Sequence, residues 1–179
     1  PIAAVYKAVP IEGRCLDVGG HQGRLRRYLS PNQEYVSCDP FHNVFDNLDQ
    51  QPKLLSTYPF LKNQVNFLCC DAEFLPFKSQ SFDTVHMRSV IDHFLSPEQA
   101  MCEAYRVLRT GGALIVGLYV HGGKSGRADA MDHAKELIKD TLTKVGFDRF
   151  KDHHVWHPTF AELKSLISEN GFDIETVHW

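Results

Sequence analysis

The stretch Arg14-Cys-Leu-Asp-Val-Gly-Gly-His-Gln-Gly23 decides the fold. A short apolar run carrying one acid gives way to glycine-rich chain, and residues 24–29 follow with a helical pattern. A buried strand that turns tightly into a helix reads this way. Ser30-Pro31-Asn32 closes that helix, and the theme then repeats. Apolar runs at 34–38, 65–70, 82–88 and 113–119 alternate with amphipathic stretches. The alternation predicts an α/β fold with a mostly parallel central sheet.

The connections carry their own signals. A helix is expected within 43–57, with Pro52 bending or ending it. Ser96-Pro97-Glu98-Gln99 reads as a helix start: Ser96 caps, Pro97 suits the first turn, and Gln99 can complete a capping box. Ala100, Ala104, Val107 and Leu108 form that helix's apolar face. Gly111 and Gly112 turn the chain into the fifth strand. Residues 120–126 are a glycine-rich loop, 128–145 a helix stopped by Gly146, and 147–157 irregular. Thr159 and Glu162 form another capping-box signature. Asn170 and Gly171 end that helix, and 172–178 is expected as the last strand.

The chain has 179 residues and a mass of 20.4 kDa, the size of a single domain spanning 1–179. Folding at that size buries about 70% of the unfolded chain's surface, enough for a core without disulfide or metal staples. The composition, 43% hydrophobic and 23% charged, excludes long disorder. A net charge of −3 and a pI of about 6.4 argue against a nucleic-acid partner. Arg24, Arg26 and Arg27 are the one basic cluster, read as a solvated helix face or an anion contact. No apolar run approaches the roughly 18 residues that cross a bilayer, so no membrane partner is expected. Residues 1–13 lack the pattern of a signal peptide. Of five cysteines, none forms a Cys-x-x-Cys pair. Cys15, Cys38, Cys69 and Cys70 are expected as buried thiols in a reducing, cytoplasmic setting.

Ligands of open parallel sheets bind beyond the carboxyl ends of the strands. Asp17, Asp39 and Asp71 fall at the ends of the first three strands, on one rim. With a glycine-rich first turn, they point to a nucleoside-like ligand. A nicotinamide dinucleotide is disfavoured, because Gly-x-Gly-x-x-Gly fails at His21 and Arg24. An acid at position 17 would also repel a pyrophosphate on the helix N-terminus, but would tolerate a cationic ligand.

Six segments in order extend the pattern: residues 16–23, 36–39, 70–77, 81–85, 91–94 and 103–112. Together, over most of residues 13–172, they resemble the class I S-adenosylmethionine-dependent methyltransferases of the small-molecule type. The resemblance implies a Rossmann-like three-layer sandwich, with the family's final strand expected to be missing here. It implies S-adenosyl-L-methionine as cofactor, a small-molecule methyl acceptor, and the subclass EC 2.1.1.-. Carried over by position, Asp17 with Gly19, Gly20, His21 and Gly23 would hold the methionine end. Asp39 would accept from the ribose hydroxyls, Asp71 from the adenine amino group, and the Ala72 N–H would face the ring. The backbone at Arg88 would approach the cofactor's amino group. His21 departs from the family, where a glycine is usual.

Methyl transfer from a sulfonium needs in-line positioning more than a base, so no catalytic triad is expected. Asp92 and His93, after the fourth strand, are read as pocket wall or base; Tyr119 and His121, after the fifth, are further candidates. His153, His154 and His157 cluster in one loop. Pro158 argues against a helix there, and no zinc pattern accompanies them, so no metal is expected. Asp83, at the opposite end of its strand, is read as structural. Residues 120–157 are expected to form a lid. The alternative to an enzyme is a catalytically inactive, methyltransferase-like binding or scaffold protein.

Overall fold

In the computed structural model, which describes residues 2–63, 65–125 and 154–179, strand β1 (Cys15–Val18) is buried at every position. It lies at the centre of a five-stranded sheet with β2 (Tyr35–Asp39), β3 (Asn66–Cys69), β4 (Phe82–Arg88) and β5 (Leu108–Gly117). The order is β3-β2-β1-β4-β5, and every pairing is parallel. The chain steps outward from β1 to β3, then crosses back to β4 on the other side of β1. The strand order therefore reverses between β1 and β4, the switch point where such sheets bind ligands.

Side chains alternate between the two faces. Leu16, Val18, Cys38, Val85 and Met87 face one core, closed by Ala100, Met101, Ala104 and Val107 of helix α3 (Pro97–Val107) and by Leu166 of α4 (Phe160–Glu169). Cys15 and Tyr35 face the other, with Leu25 and with Tyr6 of α1 (Ile2–Ala8). Three layers result. The cap signals hold: the Ser96 hydroxyl accepts the Gln99 N–H, and Thr159 and Glu162 close a complete capping box. Gln99 departs from its expected role by donating to the Glu73 carbonyl instead of returning to Ser96.

Several expectations are corrected. Pro52 opens α2 (Pro52–Thr57) instead of ending a helix, because a first-turn residue needs no N–H. Residues 172–178 are not a strand; no partner strand pairs with them among the described residues. α1 was not signalled, since seven residues are too short for a periodicity to be read. Cys69 is exposed because β3 is the sheet's edge; its thiol donates to the Pro40 carbonyl. Residues 24–28 form a 3-10 turn, and its arginines lie over aromatic rings. Arg24 and Arg27 cover Tyr58, and Arg26 covers Phe60. The expected helix at 128–145 lies outside the described residues, as does most of the expected lid.

The loop after β3 is clamped to α3. Glu103 accepts the Leu75 N–H at 2.8 Å and pairs with Arg106 at 2.7 Å, while Arg106 donates to the Leu75 and Phe77 carbonyls. Arg106 holds the Glu103 carboxyl below its ordinary range. Truncation by Glu103→Ala is expected to cost about 1.5–3 kcal/mol near neutral pH, the scale of charged hydrogen bonds. In the lowered-pKa window the unfolded chain binds the proton more readily. This contribution is therefore present above the ordinary carboxylate range and lost as pH falls through the folded value. Urea denaturation of both proteins across acidic pH should show their stabilities converging; a constant gap would refute the clamp.

Candidate functional site at the sheet's switch point

The register brings the strand ends into one row. Val18 sits beside Cys38 and Met87, Asp39 beside Cys69, and Arg88 beside Gly117. The residues that follow β1 and β4 therefore border the switch point together. They touch: Gly19 (φ +67) leaves no room for a Cβ against the Val90 side chain. Glycine is needed there both for the left-handed backbone and for the close approach.

His21 also adopts a positive φ, 49°, which is costly for a residue with a Cβ. Two bonds hold it. Its N–H donates to Asp39 Oδ2 at 3.2 Å, and its carbonyl accepts from the Ser37 hydroxyl at 3.0 Å. The turn is thus made in spite of the missing glycine. The other Asp39 oxygen accepts the Phe41 N–H. A carboxylate offers about four acceptor sites, so Asp39 keeps capacity for more donors. Its side chain, 6% exposed, ties the loop after β1 to the end of β2.

Asp17 is placed differently from its expected position at the rim. β1 runs on to Val18, and the Asp17 side chain lies inside the sheet–α1 layer, 4% exposed. Tyr35 donates to Oδ2 at 2.5 Å, and His86 Nδ1 lies 2.7 Å from Oδ1. The far ring nitrogen of His86 is 2.8 Å from the Tyr6 hydroxyl. A carboxylate only accepts, so His86 Nδ1 and the Tyr35 hydroxyl both donate to Asp17, and the Tyr6 hydroxyl bonds the other ring nitrogen of His86. Both phenols keep their protons. Burial pushes Tyr6 up to about 12, and burial together with the Asp17 charge pushes Tyr35 higher still. Gly20 rests on this group; a Cβ there would lie 2.6 Å from Asp17 Oδ2 and 2.5 Å from the Ser37 hydroxyl. The sequence reading missed Tyr6, Tyr35 and His86. The available signal was the polar side chain at His86 between apolar Val85 and Met87, on the face shared with Asp17.

Farther along the rim, Asp71 precedes the short turn Ala72–Phe74 without capping it; its carboxylate is exposed, while Ala72 is buried. Arg88 is exposed at the end of β4, and the next residue, Ser89, has φ 55° and bonds the Gly117 carbonyl. Asp83 accepts the Arg14 N–H and pairs with Arg109 at the opposite end of the sheet, as a structural role requires. Those bonds hold its carboxyl below the usual range.

Past β4 and β5 the structure gathers imidazoles. The His93 and His154 rings are 4.6 Å apart. His154 lies 5.8 Å from His157, which is 5.3 Å from His121. Tyr119 is 6.0 Å from His121. His93 thus lies along one edge with Tyr119 and His121, which are more than twenty-five residues farther on in the chain. The His121 N–H donates to the Pro158 carbonyl, joining the two described ends of the expected lid; His153 lies outside the described residues.

A family profile described as a methyltransferase domain matches residues 16–116, more than half of the chain, from β1 almost to the end of β5. The chain belongs to the class I S-adenosylmethionine-dependent methyltransferases. It is 27% identical over 175 residues to the ubiquinone/menaquinone biosynthesis C-methyltransferase UbiE of Pseudomonas paraeruginosa, covering 92% of this chain and 67% of that one. The fold is similar to that of a candidate methyltransferase from Bacillus halodurans, with a TM-score of 0.72 and 20% identity over 99% of this chain and 71% of that one. It is also similar to Haemonchus contortus phosphoethanolamine N-methyltransferase 2, solved with S-adenosyl-L-methionine. There the TM-score is 0.65, at 20% identity over 96% of this chain and 36% of that one. Among the described residues no helix is long and apolar enough to cross a membrane.

In this methyltransferase domain the loop after β1 stands on the Asp17 network. Tyr35→Phe keeps the ring and removes the hydroxyl, leaving a buried carboxylate short of one donor. The expected loss is about 1–3 kcal/mol of stability, read by urea denaturation. A change within experimental error would mean that the loop does not depend on that bond.

Proposed function

We propose that the chain transfers a methyl group from S-adenosylmethionine to a small-molecule acceptor. The reading rests on one arrangement: a tight loop at the switch point, bonded to Asp39 at the end of β2. Asp71, exposed just past β3, supports it. The donor chemistry fits an adenosyl group. Asp39 would accept from the ribose hydroxyls and Asp71 from the adenine amino group, since carboxylates accept and those groups donate. Gly19, Gly20, His21 and Gly23 would border the methionine end, with the Ala72 N–H at the ring and the Arg88 backbone near the amino group. Asp17 takes a positioning role in this proposal. Its oxygens already hold Tyr35 and His86, so it supports the loop from beneath instead of touching the ligand.

When bound, S-adenosylmethionine supplies a methyl group already activated on a sulfonium. What remains for the protein is to hold the acceptor in line at about 3–3.5 Å and to exclude water. A general base is needed only where the acceptor must lose a proton. His93, Tyr119 and His121 line the edge an acceptor would meet. Phe74 and Leu95, 75% and 88% exposed, stand in neighbouring loops joined through Glu73, whose carboxylate takes the Leu95 N–H. An apolar ring as acceptor would agree with the quinone-biosynthesis name of the relative.

Isothermal titration with S-adenosylmethionine tests the cofactor assignment. Asp39→Ala should weaken binding by about 1–3 kcal/mol; unchanged affinity would remove the ribose role. Transfer of labelled methyl to small-molecule fractions tests the activity. Binding without transfer to any fraction would favour the inactive binding protein, and no binding at high micromolar cofactor would favour a scaffold.

A further inference from the structure

We propose that Asp92, His93 and His154 form a binding site for a divalent transition metal, zinc(II) by the chemistry of its donors. The sequence reading expected no metal, because the loop histidines His153, His154 and His157 carry no zinc pattern and Pro158 argues against a helix there. The fold brings Asp92, His93 and His154 together. One carboxylate oxygen and one ring nitrogen from each histidine all lie within 4.8 Å of one another.

Backbone bonds hold the two segments in register. The Val155 and Trp156 N–H groups both donate to the Asp92 carbonyl, at 2.7 and 3.1 Å, and the His93 N–H donates to the Val90 carbonyl at 2.9 Å. His154 is thereby fixed beside the turn that carries Asp92 and His93. The carboxylate is the second observation. Asp92 Oδ2 lies 3.3 Å from His154 Nε2. Oδ1 is buried with no hydrogen-bond partner among the described residues. An orphaned carboxylate oxygen is costly, and a cation would satisfy it. The His154 contact alone leaves it unmet.

Two imidazoles and one carboxylate form a donor set that suits zinc, iron and related ions. Metal–ligand distances of about 2.0–2.2 Å ask the donors to close to roughly 3.4 Å. The exposed His93 side chain can swing in. Three protein ligands leave an open position for an oxygen or nitrogen of an incoming molecule. The site stands past the carboxyl end of β4, so under the proposed function that molecule is the methyl acceptor. Metal binding itself does not depend on that reading.

Tag-free protein, stripped with chelator, is titrated with zinc(II) by calorimetry and with cobalt(II) by visible absorption. One equivalent per chain is expected, at micromolar affinity or tighter. Asp92→Asn, His93→Gln and His154→Gln should each weaken it at least tenfold, with His178→Gln unchanged. Circular dichroism checks that the variants fold; His93→Gln alters an exposed side chain and so remains informative if Asp92→Asn does not fold. Substoichiometric binding, or wild-type affinity in both His93→Gln and His154→Gln, would overturn the site. A parallel titration with S-adenosylmethionine separates the two proposals: zinc binding without cofactor binding defeats methyl transfer and leaves the metal site standing, and the converse defeats only the metal site.

Discussion

A single buried carboxylate ties this domain together. Asp17 on β1 accepts a hydrogen bond from Tyr35 on β2 and another from His86 on β4, and His86 is in turn reached by Tyr6 on α1. The network therefore joins the three central strands and the helix that covers them. A charge placed there without donors would be prohibitively costly, and with them it becomes specific. Only the register observed, with Asp17 opposite Ser37 and His86, lets the donors reach it. A slip of one residue would send Asp17 to the apolar face.

The site inherits its shape from that network. Gly20 lies on Asp17 and Ser37 with no space for a side chain, and Ser37 and Asp39 hold the backbone of His21 from the two sides. The loop that would receive a cofactor is thus built from below by strand side chains. A histidine can occupy a left-handed position because its N–H and its carbonyl both have partners. The acidic groups divide the work accordingly: Asp17 is sealed inside, Asp39 links loop and strand, and Asp71 stands in the open.

Much of the fold was legible in the chain. Apolar runs marked the five strands, most clearly β1, β2 and β4 at the centre of the sheet, where burial on both faces needs near-continuous apolar sequence. Ser96-Pro97 and the Thr159–Glu162 pair marked two helix starts, because capping is a local interaction. The row of acids was legible as a pattern, but its meaning was not. Nothing local distinguishes an acid that faces a ligand from one that faces a tyrosine on the next strand. The missed α1 and the false strand at 172–178 share a cause. A short segment takes its structure from what it packs against or pairs with, and that partner is distant in sequence.

The sequence by itself determined the class of fold, two capped helix starts and the family, since these rest on periodicity, caps and motifs a few residues apart; the turn expected at Gly111 and Gly112 falls instead inside β5. Tertiary structure alone decided which carboxylate is buried, which histidines become neighbours, and how His21 is held. Those outcomes depend on strand order and register. Asp92 and His154 meet only because backbone bonds lay one loop along another across 61 residues of intervening chain.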